Sequence, residues 1–239
     1  MKKNILILIL LLAFFSCSQD SSDSIDLKEA IDNPLRKQSN ISRDKYRNPL
    51  ETLKFFRISK DQKILEIVPG SGWYTEIIGN FMKDTDNYYV AIYEKPEIKI
   101  LEKIQKDFFE YFDKNKKTFG NIKSVEINEN LELKSNNLKF DIVLTFRNTH
   151  NWLKSNKAEY MYKSIYNSMN KDGILGVVQH RANESMKLNY EKGYVKESFL
   201  INLIEEQGFL FLGKTEINSN PKDLKNYEKG VWTLPPRLV

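Results

Sequence analysis

The stretch Ile64-Leu65-Glu66-Ile67-Val68-Pro69-Gly70-Ser71-Gly72-Trp73-Tyr74 constrains this chain more than any other. A short apolar run ending in a tight Pro-Gly-Ser-Gly turn, followed at once by a helical pattern, is how a buried parallel strand presents its C-terminal end to a ligand. Gly70 and Gly72 lack Cβ, so the backbone there can take φ > 0 and approach a bound molecule. Taken alone, the same residues also describe a plain strand-to-helix turn.

The pattern on either side decides the fold class. Leu50, Leu53 and Phe56 share one helical face, with Pro49 suited to the first turn. Strands are predicted over Lys63–Val68, Tyr88–Tyr93, Ile122–Ile127, Phe140–Thr145, Ile174–Val178 and Phe209–Ile217, with a seventh at Val231–Leu234. Helices are predicted from Trp73 to Met82, from Pro96 to Lys114, from Asn156 to Met169 and from Val195 to Glu206, with Gly173 as a stop or turn residue after the third. Alternation of this kind gives an α/β fold: a mostly parallel seven-stranded sheet with helices on both faces. Right-handed crossovers align the C-terminal ends of the strands along one edge. Gly70 and Gly72, Glu94, Arg147 to Trp152, and His180-Arg181 should meet there.

The chain has 239 residues, 41% of them hydrophobic, which suits one such domain. Its net charge of +5 is spread along the sequence with no dense basic block, so nucleic acid is not an expected partner. The N-terminus is a different matter. Lys2 and Lys3 precede an apolar run from Ile5 to Phe15, too short for a comfortable membrane span and suited to an export signal. Ser16 and then Cys17, the sole cysteine, follow at once. This junction resembles a bacterial lipobox, which implies cleavage before Cys17 and lipidation of it. Ser18 then implies anchoring at the periplasmic face of the outer membrane. The expected organisation is a lipoprotein signal peptide over 1–16, a flexible tether over 17–41, in which Asp26–Ile31 can form a short helix ended by Pro34, and the domain over 42–239.

The strand-end residues resemble the class I S-adenosylmethionine-dependent methyltransferases. Their first motif is two apolar residues, an acid and a Gly-x-Gly-x-Gly loop; here Glu66, Gly70 and Gly72 match, and Val68 stands where the first glycine is expected. Their second motif, an acid ending the second strand, matches Glu94. The resemblance implies a Rossmann-like fold and S-adenosylmethionine as cofactor, held by Glu66, Gly70, Ser71, Gly72 and Glu94, with Glu94 on the ribose hydroxyls. It also places Arg147, Asn148 and His150 at the reacting centre and Trp152, His180 and Arg181 on the substrate side.

A closer resemblance is to an exported subfamily labelled as predicted methyltransferases, carried by Pro69–Tyr74, Leu144–Trp152, Gln179–Ala182, Asn220–Asp223 and Gly230–Pro236. The acceptor is then a small molecule or an envelope component. The alternative is a non-catalytic envelope lipoprotein that keeps the fold as a binding module. A nicotinamide cofactor would need glycine at position 75, where threonine stands; a P-loop would need Gly-Lys-Ser/Thr. Two histidines without ligand spacing give no metal site.

Overall fold

A computed structural model describes residues 22–96, 98–187 and 189–234. The signal segment and Cys17 lie outside the described residues, as do Pro235 and Pro236.

Six strands form one sheet in the order β4-β3-β2-β1-β5-β6. They are β1 (Ile64–Ile67), β2 (Tyr88–Tyr93), β3 (Lys123–Ile127), β4 (Leu133–Lys134), β5 (Phe140–Phe146) and β6 (Met169–Val178). All neighbours pair in parallel except β4, which runs antiparallel to β3 at one edge. The chain leaves β1 toward β2 and β3, then returns to β1's other side as β5. The order therefore reverses between β1 and β5, where the two adjoining connections depart in opposite directions and leave a crevice.

Both sheet faces are covered because successive strand residues point to opposite sides. Ile64, Val90 and Leu144 pack under α4 (Trp73–Phe81) and α5 (Lys99–Lys114), with Phe119 of α6 (Lys116–Phe119) in the same core. Leu65, Ile67 and Val143 pack under α7 (Thr149–Lys154) and α8 (Ala158–Ser168), with Leu203 of α9 (Glu197–Glu205). Glu66 shares the face of Ile64, which places a carboxylate inside the first of these cores.

The sequence-based reading differs from the structure in three places. The first is the tether. Residues 22–31 form a helix, α1, whose Leu27 and Ala30 are buried in the first core. Two short helices follow, α2 (Gln38–Ile41) and α3 (Pro49–Phe55). Arg36, between α1 and α2, is buried; it donates to both Asp44 carboxylate oxygens at 2.8 and 2.9 Å and to the Ile31 carbonyl at 2.7 Å. The folded part thus begins by residue 22, not at 42. A short helix over Asp26–Ile31 in a solvated linker was expected; the helix is there, but it packs into the core, and Arg36 and Asp26 find charged partners within the fold.

The second difference is the strand count, six among the described residues in place of seven. Residues 209–217 form no strand: Leu210 and Leu212 are 83% and 79% exposed, and only Phe209 packs on the second core. Side chains hold the segment instead. Asn48 donates to the Ile217 carbonyl at 2.8 Å, and Arg181 forks onto Glu216 at 2.7 and 2.6 Å. Gly230–Thr233, where a seventh strand was expected, is a 3₁₀ turn, and β4 was not anticipated at all.

The third is Gly173, which stops no helix. Phe140 pairs with Met169 and Ile142 with Ile174, so Asn170–Gly173 bulge out of β6, with Asp172 at φ +66°.

Candidate functional site

The loop after β1 turns three times through left-handed backbone, at Val68 (φ +47°), Gly70 (+61°) and Gly72 (+83°). The two glycines adopt this freely; a β-branched residue does so only under strain of about 1–3 kcal/mol. Val68 thus occupies a glycine's conformation at the position where the resembled family carries glycine. The two glycines have different surroundings. A Cβ on Gly70 would meet nothing within 4 Å, and Gly70 and Ser71 are exposed at the loop's tip. A Cβ on Gly72 would lie 2.5 Å from the Phe112 ring of α5. Gly70 faces open space where a ligand can approach; Gly72 lets an aromatic ring close on the loop.

Asn148, just past β5, holds this loop in place. Its side-chain amide donates to the Ile67 carbonyl at 2.9 Å, to Val68's at 3.4 Å and to Thr145 Oγ1 at 3.2 Å. Expected at the reacting centre, it acts as a clamp across the switch point between β1 and β5. Glu66 is also a brace. Its Oε2 accepts from Thr75 Oγ1 at 2.8 Å and from the Tyr88 hydroxyl at 2.5 Å, joining β1 to α4 and β2. Burial raises its acid range to about 7, against the pull of the two hydroxyls.

Glu94 does end β2, but its carboxylate receives Lys134 Nζ of β4 at 2.7 Å, and that hydrogen bond lowers its acid range. A ribose binding there would have to displace an exposed lysine, and exposed pairs of this kind are weak.

Beside the loop lies a cationic corner. Arg47 is 9% exposed, with its guanidinium 4.4 Å from the centre of the Trp73 ring. Tyr74, next in sequence, stacks on Phe146 at 3.5 Å between ring centres, and Arg147 follows Phe146 at φ +62°. Burial first, and then mutual repulsion with Arg147 and Arg43, pulls Arg47 far below the ordinary guanidinium range. Arg147 is lowered by burial and by Arg43. His180, expected on the substrate side, borders this group: burial and the charges of Arg147, His150 and Arg47 hold its range near 3, so it is neutral.

His150 is buried, and burial lowers its range also. Gln179 Nε2 donates to the Gly193 carbonyl at 2.8 Å, which fixes the orientation of that amide. The same nitrogen lies 3.4 Å from His150 Nδ1, so Nδ1 accepts and the imidazole proton sits on Nε2. His150 Nε2 and Gln179 Oε1 are buried without hydrogen-bond partners. In this tautomer His150 offers an N–H donor at Nε2.

Two expected substrate residues are placed elsewhere. Trp152 is buried in the second core, edge-on to Tyr162 at 5.6 Å, with Nε1 donating to the Tyr93 hydroxyl at 3.1 Å. Arg181 is consumed by Glu216 and by Glu197 at 2.8 Å. Conversely, Arg43 and Arg47 were not singled out from the sequence, and Gln179 was noted only within the Gln179–Ala182 segment, with no role of its own. The two arginines precede β1 and reach the site only through the docking of the N-terminal segment on Trp73, whose Nε1 donates to the Asn40 carbonyl at 2.8 Å. No local spacing signals that contact.

No family model matches the chain, and no curated protein matches it. Solved structures do. A SAM-dependent methyltransferase from Aquifex aeolicus aligns over 77% of this chain and 87% of its own, with 15% identity and a TM-score of 0.53. A candidate methyltransferase from Bacillus halodurans C-125 aligns over 68% and 69%, with 16% identity and a TM-score of 0.50. This chain has the Rossmann-like methyltransferase fold. At such identities the likeness is one of fold, and the chemistry of the site must be argued from its own residues.

Those residues fit S-adenosylmethionine at the loop. Gly70 leaves the backbone open to a ligand, Ser71 is accessible, and Glu94 stands at the end of the neighbouring strand. Among the described residues no cluster of histidine, cysteine, aspartate and glutamate could hold a metal ion.

Proposed function

We propose that this protein is an S-adenosylmethionine-dependent methyltransferase of an exported subfamily, acting on a small molecule or an envelope component. One observation carries the reading: an open glycine loop in left-handed backbone at the β1/β5 switch point, clamped from β5 by Asn148. Gly70, Ser71 and the loop backbone would hold the amino-acid end of the cofactor, and Glu94, released from Lys134, its ribose. Bound there, the cofactor supplies an electrophilic methyl group on sulfur, and alignment of the acceptor does most of the remaining work. The chain's part is to position. Asn148 fixes the loop, Glu66 fixes α4 against β1, and His150 offers an N–H to an acceptor oxygen.

Calorimetry on the full chain tests this. S-adenosylmethionine should bind saturably, and Gly70→Val, which fills the open space, should weaken binding by about tenfold or more. Absence of binding at millimolar cofactor overturns the reading. Gly72 is the poorer choice, since any side chain there strikes Phe112 and tests folding instead.

The tie between Glu94 and Lys134, with Val68 in place of glycine, favours a second reading: a binding module that keeps the fold without turnover. Lipidation at Cys17, and a place at the periplasmic face of the outer membrane, belong to either reading. Export would separate the chain from a cofactor made in the cytoplasm, which is the stronger reason to test binding first. Palmitate labelling of wild type against Cys17→Ala checks the anchor; equal absence of label in both ends that claim.

A further inference from the structure

We propose that the corner formed by Arg47 and Arg147 binds a dianionic group carried by the methyl acceptor, a phosphate monoester or a dicarboxylate. The inference rests on the transferase reading of the adjoining loop and names the acceptor's chemical class.

Charge balance sets this corner apart. A buried cation is tolerated when it is paired, and an unpaired one is costly. Arg36 shows how this chain pairs one: it is buried, forked onto Asp44 and lies 3.7 Å from Glu76. Arg47 and Arg147 have no such partner. Among the described residues neither guanidinium has a hydrogen bond to any acceptor or an ion pair, and Arg47 is nine-tenths buried. The nearby acids are already engaged. Asp44 is taken by Arg36, Glu76 by Arg36 and the Lys37 amide, and Glu66 by Thr75 and Tyr88. The two histidines at the corner are neutral and offset nothing.

Aromatic packing fixes the geometry. Trp73 lies under the Arg47 guanidinium, its ring meets Tyr74 edge-on at 4.5 Å, and Tyr74 stacks on Phe146, from which the chain runs directly into Arg147. A guanidinium presents donors in a planar fork that matches carboxylate and phosphate oxygens. His150, with its unpartnered Nε2–H close enough for Arg147 to influence its ionisation, adds a neutral donor.

Charge also selects the source of the anion. The amino-acid end of S-adenosylmethionine is a zwitterion of no net charge, and its sulfonium adds a cation. It leaves the corner's positive charge uncompensated. A dianion on the acceptor offsets most of it and is held at the same strand ends as the transferable methyl group.

The full chain, titrated calorimetrically at fixed ionic strength, tests the proposal with three probes: inorganic phosphate, succinate and S-adenosylhomocysteine. Phosphate or succinate should saturate one site per chain, with or without S-adenosylhomocysteine bound. Arg47→Gln and Arg147→Gln should each weaken that binding about ten- to a hundredfold and leave S-adenosylhomocysteine affinity unchanged. Thermal melts supply an independent sign. Removing one of several like charges relieves repulsion, so Arg147→Gln without phosphate should melt above wild type, and phosphate should stabilise wild type more than the variant.

Unsaturable phosphate and succinate, or variants that bind as wild type does, overturn the proposal. So does competition in which S-adenosylhomocysteine displaces phosphate and loses affinity in the same variants, because the corner then serves the cofactor's carboxylate. S-adenosylhomocysteine binding without anion binding defeats the anion corner and leaves the transferase standing. Anion binding without S-adenosylhomocysteine binding supports the corner and defeats the transferase reading beneath it.

Discussion

Glu66→Gln should stabilise this protein at pH 8 and leave it nearly unchanged at pH 5. Glu66 sits in the first core with its Oε2 accepting from two hydroxyls. Burial moves its acid range from an ordinary 4.5 to about 7. At about 1.4 kcal/mol per pH unit, ionising it in the folded state costs roughly 3 kcal/mol more than in the unfolded chain. The sign follows from proton binding. Below pH 4.5 both states hold the proton, and the contribution is fully present. Between 4.5 and 7 the unfolded chain releases it while the fold retains it, so stability is lost as pH rises and is gone above 7. Glutamine copies the protonated acid: its Oε1 can accept from Thr75 and Tyr88, with the NH₂ where the acid proton would be.

His180 works in the opposite sense. Its range near 3, against an ordinary 6.5, means that the unfolded chain gains a proton below 6.5 that the fold refuses, so stability falls toward acid. The wild-type profile mixes the two effects, and the difference between wild type and variant isolates Glu66. Urea unfolding at pH 5, 6, 7 and 8, extrapolated to water, measures it. The variant should gain little at pH 5 and about 3 kcal/mol at pH 8. A pH-independent difference, or a less stable variant at pH 8, refutes the account.

Two further outcomes follow from the loop. At position 68 glycine should be more stable than alanine by roughly 0.5–1 kcal/mol, reversing the usual order, because left-handed strain of about 1–2 kcal/mol exceeds glycine's entropic penalty; Val68→Gly and Val68→Ala compared by denaturant unfolding check this, and an alanine variant of greater stability contradicts it. Asn148→Ala should cost about 1–3 kcal/mol by leaving the Ile67 and Val68 carbonyls without their donor, and should speed amide hydrogen exchange over Val68–Ser71; unchanged exchange there would mean that the loop holds itself.

The sequence by itself determined the strand and helix identities near the site. β2 is found over the predicted residues, and β1, α4 and β5 lie within a residue or two of their expected ends. These segments are unbroken apolar runs or strongly periodic ones, where the pattern leaves a single choice. Glycine chemistry located the loop for the same local reason. Local pattern failed where the decisive contact was distant. Phe209–Ile217 has a strand's composition, yet side-chain ties through Arg181, Lys214 and Asn48 hold it in place of a backbone ladder. Residues 22–41 have a linker's composition, yet Arg36, Asp44 and Glu76 bury their charges together. Trp152 and Arg181 lie at the predicted strand ends, but one belongs to the core and the other to a salt-bridge network. The tertiary structure alone brought Arg47 from the N-terminal segment onto Trp73 and set it beside Arg147. Their cationic corner exists because segments 100 residues apart in sequence meet at one sheet edge, and unpaired charge is a property of that meeting, with no trace in either segment alone.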